Sequence, residues 1–106
     1  MEIKELFERL QQKIDLNPSK IEGLLATIQF SLTGDGGGEY YAVIKDGAGR
    51  INEGKSDNPD VTIFMDAEDF KDLVNKKLEP MGAFMSGKIR VQGDMSLMMK
   101  MQSLFN

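Results

Sequence analysis

The chain has 106 residues and a mass of 11.8 kDa, which gives room for one domain spanning residues 1–106 and not for two. Hydrophobic residues at 41% and charged residues at 28% exclude wholesale disorder, and 13 Lys and Arg against 17 Asp and Glu give a formal charge of −4 that argues against a protein built to grip phosphate backbones. The absence of Cys and His removes disulfides, thiolate zinc and iron–sulfur sites, thiol nucleophiles, imidazole bases and serine–histidine triads.

Ile3, Leu6, Phe7, Leu10 and Ile14 recur at the spacing of one helical face, with Glu5, Glu8, Arg9 and Gln12 turned away. Asn17-Pro18 ends that helix. Over residues 24–33 the period falls to two: Ala26, Ile28, Phe30 and Leu32 alternate with Thr27, Gln29, Ser31 and Thr33, the pattern of a half-buried strand. The glycine cluster at 34–38 turns the chain into a strand at 39–45. It lacks the Gly-Lys-Ser/Thr tail of a phosphate loop and lies between two strands, so it reads as a hairpin. Asp46-Gly47-Ala48-Gly49 leads to a short strand at 50–54, and Ser56-Asp57-Asn58-Pro59 to another at 61–65. Four short strands joined by turn residues predict an antiparallel meander. Tyr40 and Tyr41, adjacent on a strand, point to opposite faces and form no joint stacking platform.

The second half changes period. Asp66 suits an N-cap, Glu68 and Asp69 suit the first turn of a helix, and Phe70, Leu73 and Val74 form its stripe. The acidic run from 57 to 72 has no EF-hand spacing, and helix capping accounts for its second half. Pro80 opens a short helix with Met81, Phe84 and Met85, closed by Gly87. Residues 88–92 alternate as one more strand, Gly93 turns it, Asp94 caps, and 95–105 form a last helix. Arg50, Lys88 and Arg90 are too scattered for a nucleic-acid groove. The N-terminus has no apolar core of signal-peptide type, and no stretch approaches the roughly 18 apolar residues of a membrane span, so the expected location is the cytoplasm. The element order predicts an α+β domain with helices laid over a sheet.

The C-terminal quarter carries the strongest functional signal. Six of the eight methionines lie between Met81 and Met101, and seven of the eleven positions 95–105 are apolar. A helix resting on a sheet through one stripe needs only about three or four per two turns, so another helix, a partner chain or a ligand must cover the rest. Methionine is flexible and polarizable, and adapts to variable apolar guests. A plain Met-rich core is the alternative.

At these residues the chain resembles the sterol carrier protein 2 domain family, the non-specific lipid-transfer proteins. The likeness runs nearly the full length. It is strongest at Ser56-Asp57-Asn58-Pro59-Asp60-Val61-Thr62, at Asp66-Ala67-Glu68-Asp69-Phe70, and from Pro80-Met81-Gly82-Ala83-Phe84-Met85-Ser86-Gly87 through Gly93-Asp94-Met95. The resemblance implies a five-stranded, largely antiparallel sheet covered on one side by helices, with a hydrophobic tunnel between them for fatty acids, fatty acyl-CoA or sterols. By that similarity the tunnel wall includes Phe70, Leu73, Met81, Phe84, Met85, Met95, Met98, Met101, Leu104 and Phe105, and Gln102 meets a ligand head group. The partners implied are a lipid or fatty-acyl ligand, a lipid-metabolising enzyme or a transient membrane contact, with the protein a monomer or weak dimer. No catalysis, nucleic acid, metal or cofactor is implied. The chain ends at Phe105-Asn106 without the Ser-Lys-Leu tripeptide of peroxisomal relatives, which fits the cytoplasm and a more open cavity. The rival reading is a protein-interaction module whose C-terminal helix is covered by a second subunit or partner enzyme.

Overall fold

The computed structural model describes residues 2–101, apart from the side chains of Met98 and Met101. The first apolar stripe becomes helix α1 (Ile3–Leu16), and its buried residues are Ile3, Leu6, Phe7, Leu10 and Ile14, the five of the pattern. Asn17 closes α1 by donating from Nδ2 to the Lys13 carbonyl at 2.8 Å. One turn of 3-10 helix (Pro18–Ile21) then buries Ile21 and delivers the chain to strand β1 (Ala26–Thr33).

Strands β2 (Gly38–Lys45) and β3 (Ala48–Glu53) follow β1 through two antiparallel hairpins, as the turn residues predict. The meander stops there. Strand β4 (Val61–Asp66) does not extend it beyond β3 but returns to the other side of β1 and pairs with it in parallel, Ile28 opposite Val61 and Leu32 opposite Met65. Strand β5 (Ile89–Gly93) adds antiparallel to β4, so the order is β3-β2-β1-β4-β5 and the five-stranded sheet is mixed. The expectation of a largely antiparallel sheet is corrected on this point. The physical reason is the segment between β3 and β4, which crosses back and is anchored on β1. The Asp60 amide donates to the Thr27 carbonyl and the Thr27 amide donates to Asp60 Oδ2, at 2.8 and 2.7 Å.

Gln29 secures the same segment. It lies on the polar side of β1, yet the returning segment buries it to 4% exposure. Its Nε2 donates to the carbonyls of Tyr40 and Gly54, each at 3.1 Å, and its Oε1 accepts from the Ser56 amide at 2.8 Å. Leucine there would leave those backbone groups unpaired, so Gln29→Leu is expected to cost about 2–4 kcal/mol in denaturant unfolding. On the free edge of β3, Gln11 of α1 acts as a short strand mimic, donating to the Gly49 carbonyl and accepting from the Ile51 amide, both at 2.7 Å. A side chain thus occupies part of the edge that another chain would otherwise pair with.

The core lies between the sheet and the helices that cover one face of it. Phe7 of α1 stacks on Tyr40 at 4.1 Å and on Phe70 at 4.8 Å between centroids, and meets Phe30 edge-on at 5.4 Å. Phe70 comes from helix α2 (Ala67–Val74), whose N-cap is Asp66, accepting from the Glu68 amide at 2.9 Å. Helix α3 (Pro80–Met85) is capped by Glu79, which accepts from the amides of Met81 and Gly82. Gly93 ends β5 at φ +108, where a Cβ would lie 2.5 Å from the Asp60 carbonyl oxygen, so only glycine fits the turn. Helix α4 (Met95–Met101) follows; residues 102–105 of the predicted helix lie outside the described residues.

Candidate functional site

Sequence reasoning places the site where α2, α3 and α4 meet the sheet. The structure brings part of that set together. Phe70 and Leu73 are fully buried on α2, and Phe70 is an integral member of the aromatic core. On α3, Ala83 is the buried anchor, Met81 and Phe84 are half-buried, and Met85 is 79% exposed. On α4, Leu97 is buried while Met95 and Met99 remain 43% and 51% exposed. The side chains of Met98 and Met101, and the whole of Gln102, Leu104 and Phe105, lie outside the described residues.

The capping chemistry explains why α3 and α4 sit where they do. Glu79 and Pro80 start α3, and the Lys88 amide donates to the Ala83 carbonyl at 2.9 Å, so the helix leads straight into β5. Asp94 starts α4, accepting at Oδ1 from the Ser96 amide at 2.9 Å and the Ser96 hydroxyl at 2.6 Å. Those bonds hold its carboxyl below the usual aspartate value. Two short helices thus flank β5, each anchored, among the described side chains, through one buried residue and each presenting exposed methionine.

An apolar concavity lies on the far side of α1, where no site was expected. It encloses about 390 Å³ between α1 and the β2–β3 edge, with Phe7, Tyr40 and Ile51 as its floor and Lys4, Glu8, Gln11, Gln12 and Glu53 around it. Burial, with the Glu53 carboxylate adding to it, raises the Tyr40 hydroxyl above its ordinary pKa of 10.0, so the phenol stays neutral there. Phe7 is legible in the sequence as an apolar member of a helix, and Tyr40 only as a strand residue facing opposite to Tyr41. Only strand register brings Ile51 beside them, and no spacing in the sequence encodes that.

The described residues contain no group of three or more acidic side chains able to hold a metal ion. Lys71 pairs with Glu68 at 3.1 Å on the outer surface of α2. Among the described residues no helix is long and apolar enough to cross a membrane.

Comparison with known proteins agrees with this geometry. The model of the SCP-2 sterol transfer family matches residues 3–106. Hydroxysteroid dehydrogenase-like protein 2 of Bos taurus is 37% identical over 95 residues, which is 89% of this chain and 23% of that protein. The chain spans less than a quarter of the length of the curated relatives it matches. Among solved structures, the sterol carrier protein domain 2 of Helicoverpa armigera is 34% identical, with a TM-score of 0.69 over 94% of this chain and 84% of that one. Palmitated SCP2L2 from Aedes aegypti superposes with a TM-score of 0.84 over 100% of this chain and 96% of its own, at 24% identity, a likeness of fold.

Proposed function

The chain belongs to the SCP-2 sterol transfer family, and we propose that it is a non-enzymatic lipid binder that carries an acyl chain or sterol between its helices and its sheet. The observation that carries this reading is the family match over residues 3–106. The exposed Met85, Met95 and Met99 on α3 and α4 support it, because apolar surface that no described element covers suits a removable apolar guest. Each methylene moved from water into such a site contributes about 0.8 kcal/mol, so chain length, not head-group chemistry, sets most of the affinity. Flexible methionine walls make that length negotiable.

In this reading Met81, Phe84 and Met85 of α3 and Met95 of α4 form one wall, and Phe70 and Leu73 support it from α2. The proposed ligand contacts of Met98, Met101, Gln102, Leu104 and Phe105 fall outside the described residues. Residues 1–106 act as one lipid-binding unit. A second reading is favoured by one observation: the curated relatives carry this stretch within a larger dehydrogenase-like protein. The domain then presents its lipid to an enzyme instead of moving it between membranes. Titration with a fluorescent fatty acid, followed by displacement with palmitate and with cholesterol, tests binding and ranks the two ligand classes. Saturable uptake reversed by either ligand is expected. Absence of saturable uptake contradicts lipid binding and passes the uncovered α4 surface to a protein partner.

A further inference from the structure

The groove between α1 and the β2–β3 edge shares no residue with the proposed lipid wall. Its sides come from α1 and from one face of the sheet. Lys4 and Glu8 follow one another a turn apart on the helix, and Phe7 and Gln11 form the neighbouring row. Tyr40 of β2 and Glu53 of β3 are directly opposed in the register, so they stand on the same face with Cβ atoms about 5 Å apart. Ile51 shares that face. The Gln11 amide is tied to the Gly49 carbonyl and the Ile51 amide, which fixes one wall.

A buried hydroxyl opens into this groove. Tyr40 is only 8% exposed, and its hydroxyl makes no hydrogen bond to the described residues. None of their buried side-chain polar atoms is left without a partner, so the Tyr40 oxygen must reach open space, and the groove is that space. Phe7 is stacked by Tyr40 and by Phe70, which leaves its ring edge for the floor. Such a floor, with Ile51 beside it, takes the face of a second aromatic ring. The volume of about 390 Å³ suits a small molecule. The rim sets two carboxylates, Glu8 and Glu53, against the one ammonium of Lys4. Burial and then the Glu53 charge keep the Tyr40 phenol neutral. A carboxylate brought to that hydroxyl would meet the same charge, whereas an ammonium pairs with it and donates to the phenol oxygen.

We propose that this groove binds a small aromatic amine, with its ring on Phe7 and Ile51 and its ammonium between the Tyr40 hydroxyl and the Glu53 carboxylate. The site stands apart from the lipid-binding reading. NMR spectra of the full chain, titrated with 2-phenylethylamine, 2-phenylethanol and phenylacetate, test it. The three probes share a ring and differ in charge. Saturable shifts at Tyr40, Ile51 and Glu53 are expected with the amine. Phenylacetate should bind at least about fivefold more weakly, with the alcohol between. Glu53→Gln should weaken the amine about three- to fivefold and leave the alcohol unchanged. Tyr40→Phe should weaken the amine about three- to tenfold. Glu53 is exposed and Tyr40→Phe keeps the ring, so both variants should fold.

Equal affinity for phenylacetate and the amine, or equal loss of amine and alcohol in Glu53→Gln, overturns the proposal. So do shifts that never saturate, or that saturate without moving Tyr40 and Ile51. Movement of the same residues on raising the protein concentration alone assigns the groove to a second copy and overturns it too. Palmitate titrated into the same spectra separates the two claims. It is expected to shift α3 and α4 and to leave Tyr40 and Ile51 in place. Saturation by palmitate at Tyr40 and Ile51 makes the groove part of the lipid path and sinks the amine site. Amine binding without palmitate binding sinks the lipid-carrier reading alone.

Discussion

Replacing Phe70 by alanine is expected to cost about 3–5 kcal/mol of stability, read as a fall in denaturant midpoint at unchanged slope. Phe70 is fully buried, and its ring stacks at 4.8 Å on Phe7 and meets Phe30 at 6.0 Å. Truncation removes that transfer free energy and opens a void that α1, held to β3 through Gln11, cannot collapse to fill. The same measurement bears on the site. If Phe70 instead faces a lipid cavity along one side, fewer contacts are lost, and the cost falls below about 2 kcal/mol while lipid capacity rises. A large loss makes Phe70 a support of the wall and leaves the lining to α3 and α4.

Phe84→Asp carries the largest expected effect on function. Phe84 is half-buried on α3, beside the buried anchor Ala83 and the uncovered Met85. A carboxylate placed in an apolar wall must stay hydrated or meet the acyl chain without a partner. Fatty-acid affinity should fall at least about tenfold, or 1.4 kcal/mol. Folding should suffer little, because Glu79 and Pro80 still start the helix and Ala83 still anchors it. Paired titration and unfolding curves check both halves. Unchanged affinity with intact folding removes α3 from the wall.

Period and turn chemistry make most of the local structure legible before any coordinates. The five buried residues of α1, the alternation of β1 and the caps at Asp66 and Asp94 all stand in the chain as short-range patterns. The place of β4 does not. Its pairing with β1 depends on Asp60 reaching Thr27 across 33 residues, a contact without local signature. Gln29 reads as a solvent-facing strand position for the same reason, since the segment that buries it arrives from 25 or more residues away. The candidate site divides likewise. The surplus apolar surface of α4 can be counted in sequence, and Met95 and Met99 are uncovered. The groove over Phe7, Tyr40 and Ile51 exists only once α1 lies across β3.

Native mass spectrometry of the freshly purified protein, with organic extraction of whatever it retains, tests the lipid-carrier account most directly. The account predicts a mass increment of one acyl lipid per chain, or its appearance on addition of palmitate, lost again in Phe84→Asp. A bare mass that stays bare when fatty acid and sterol are supplied would contradict it.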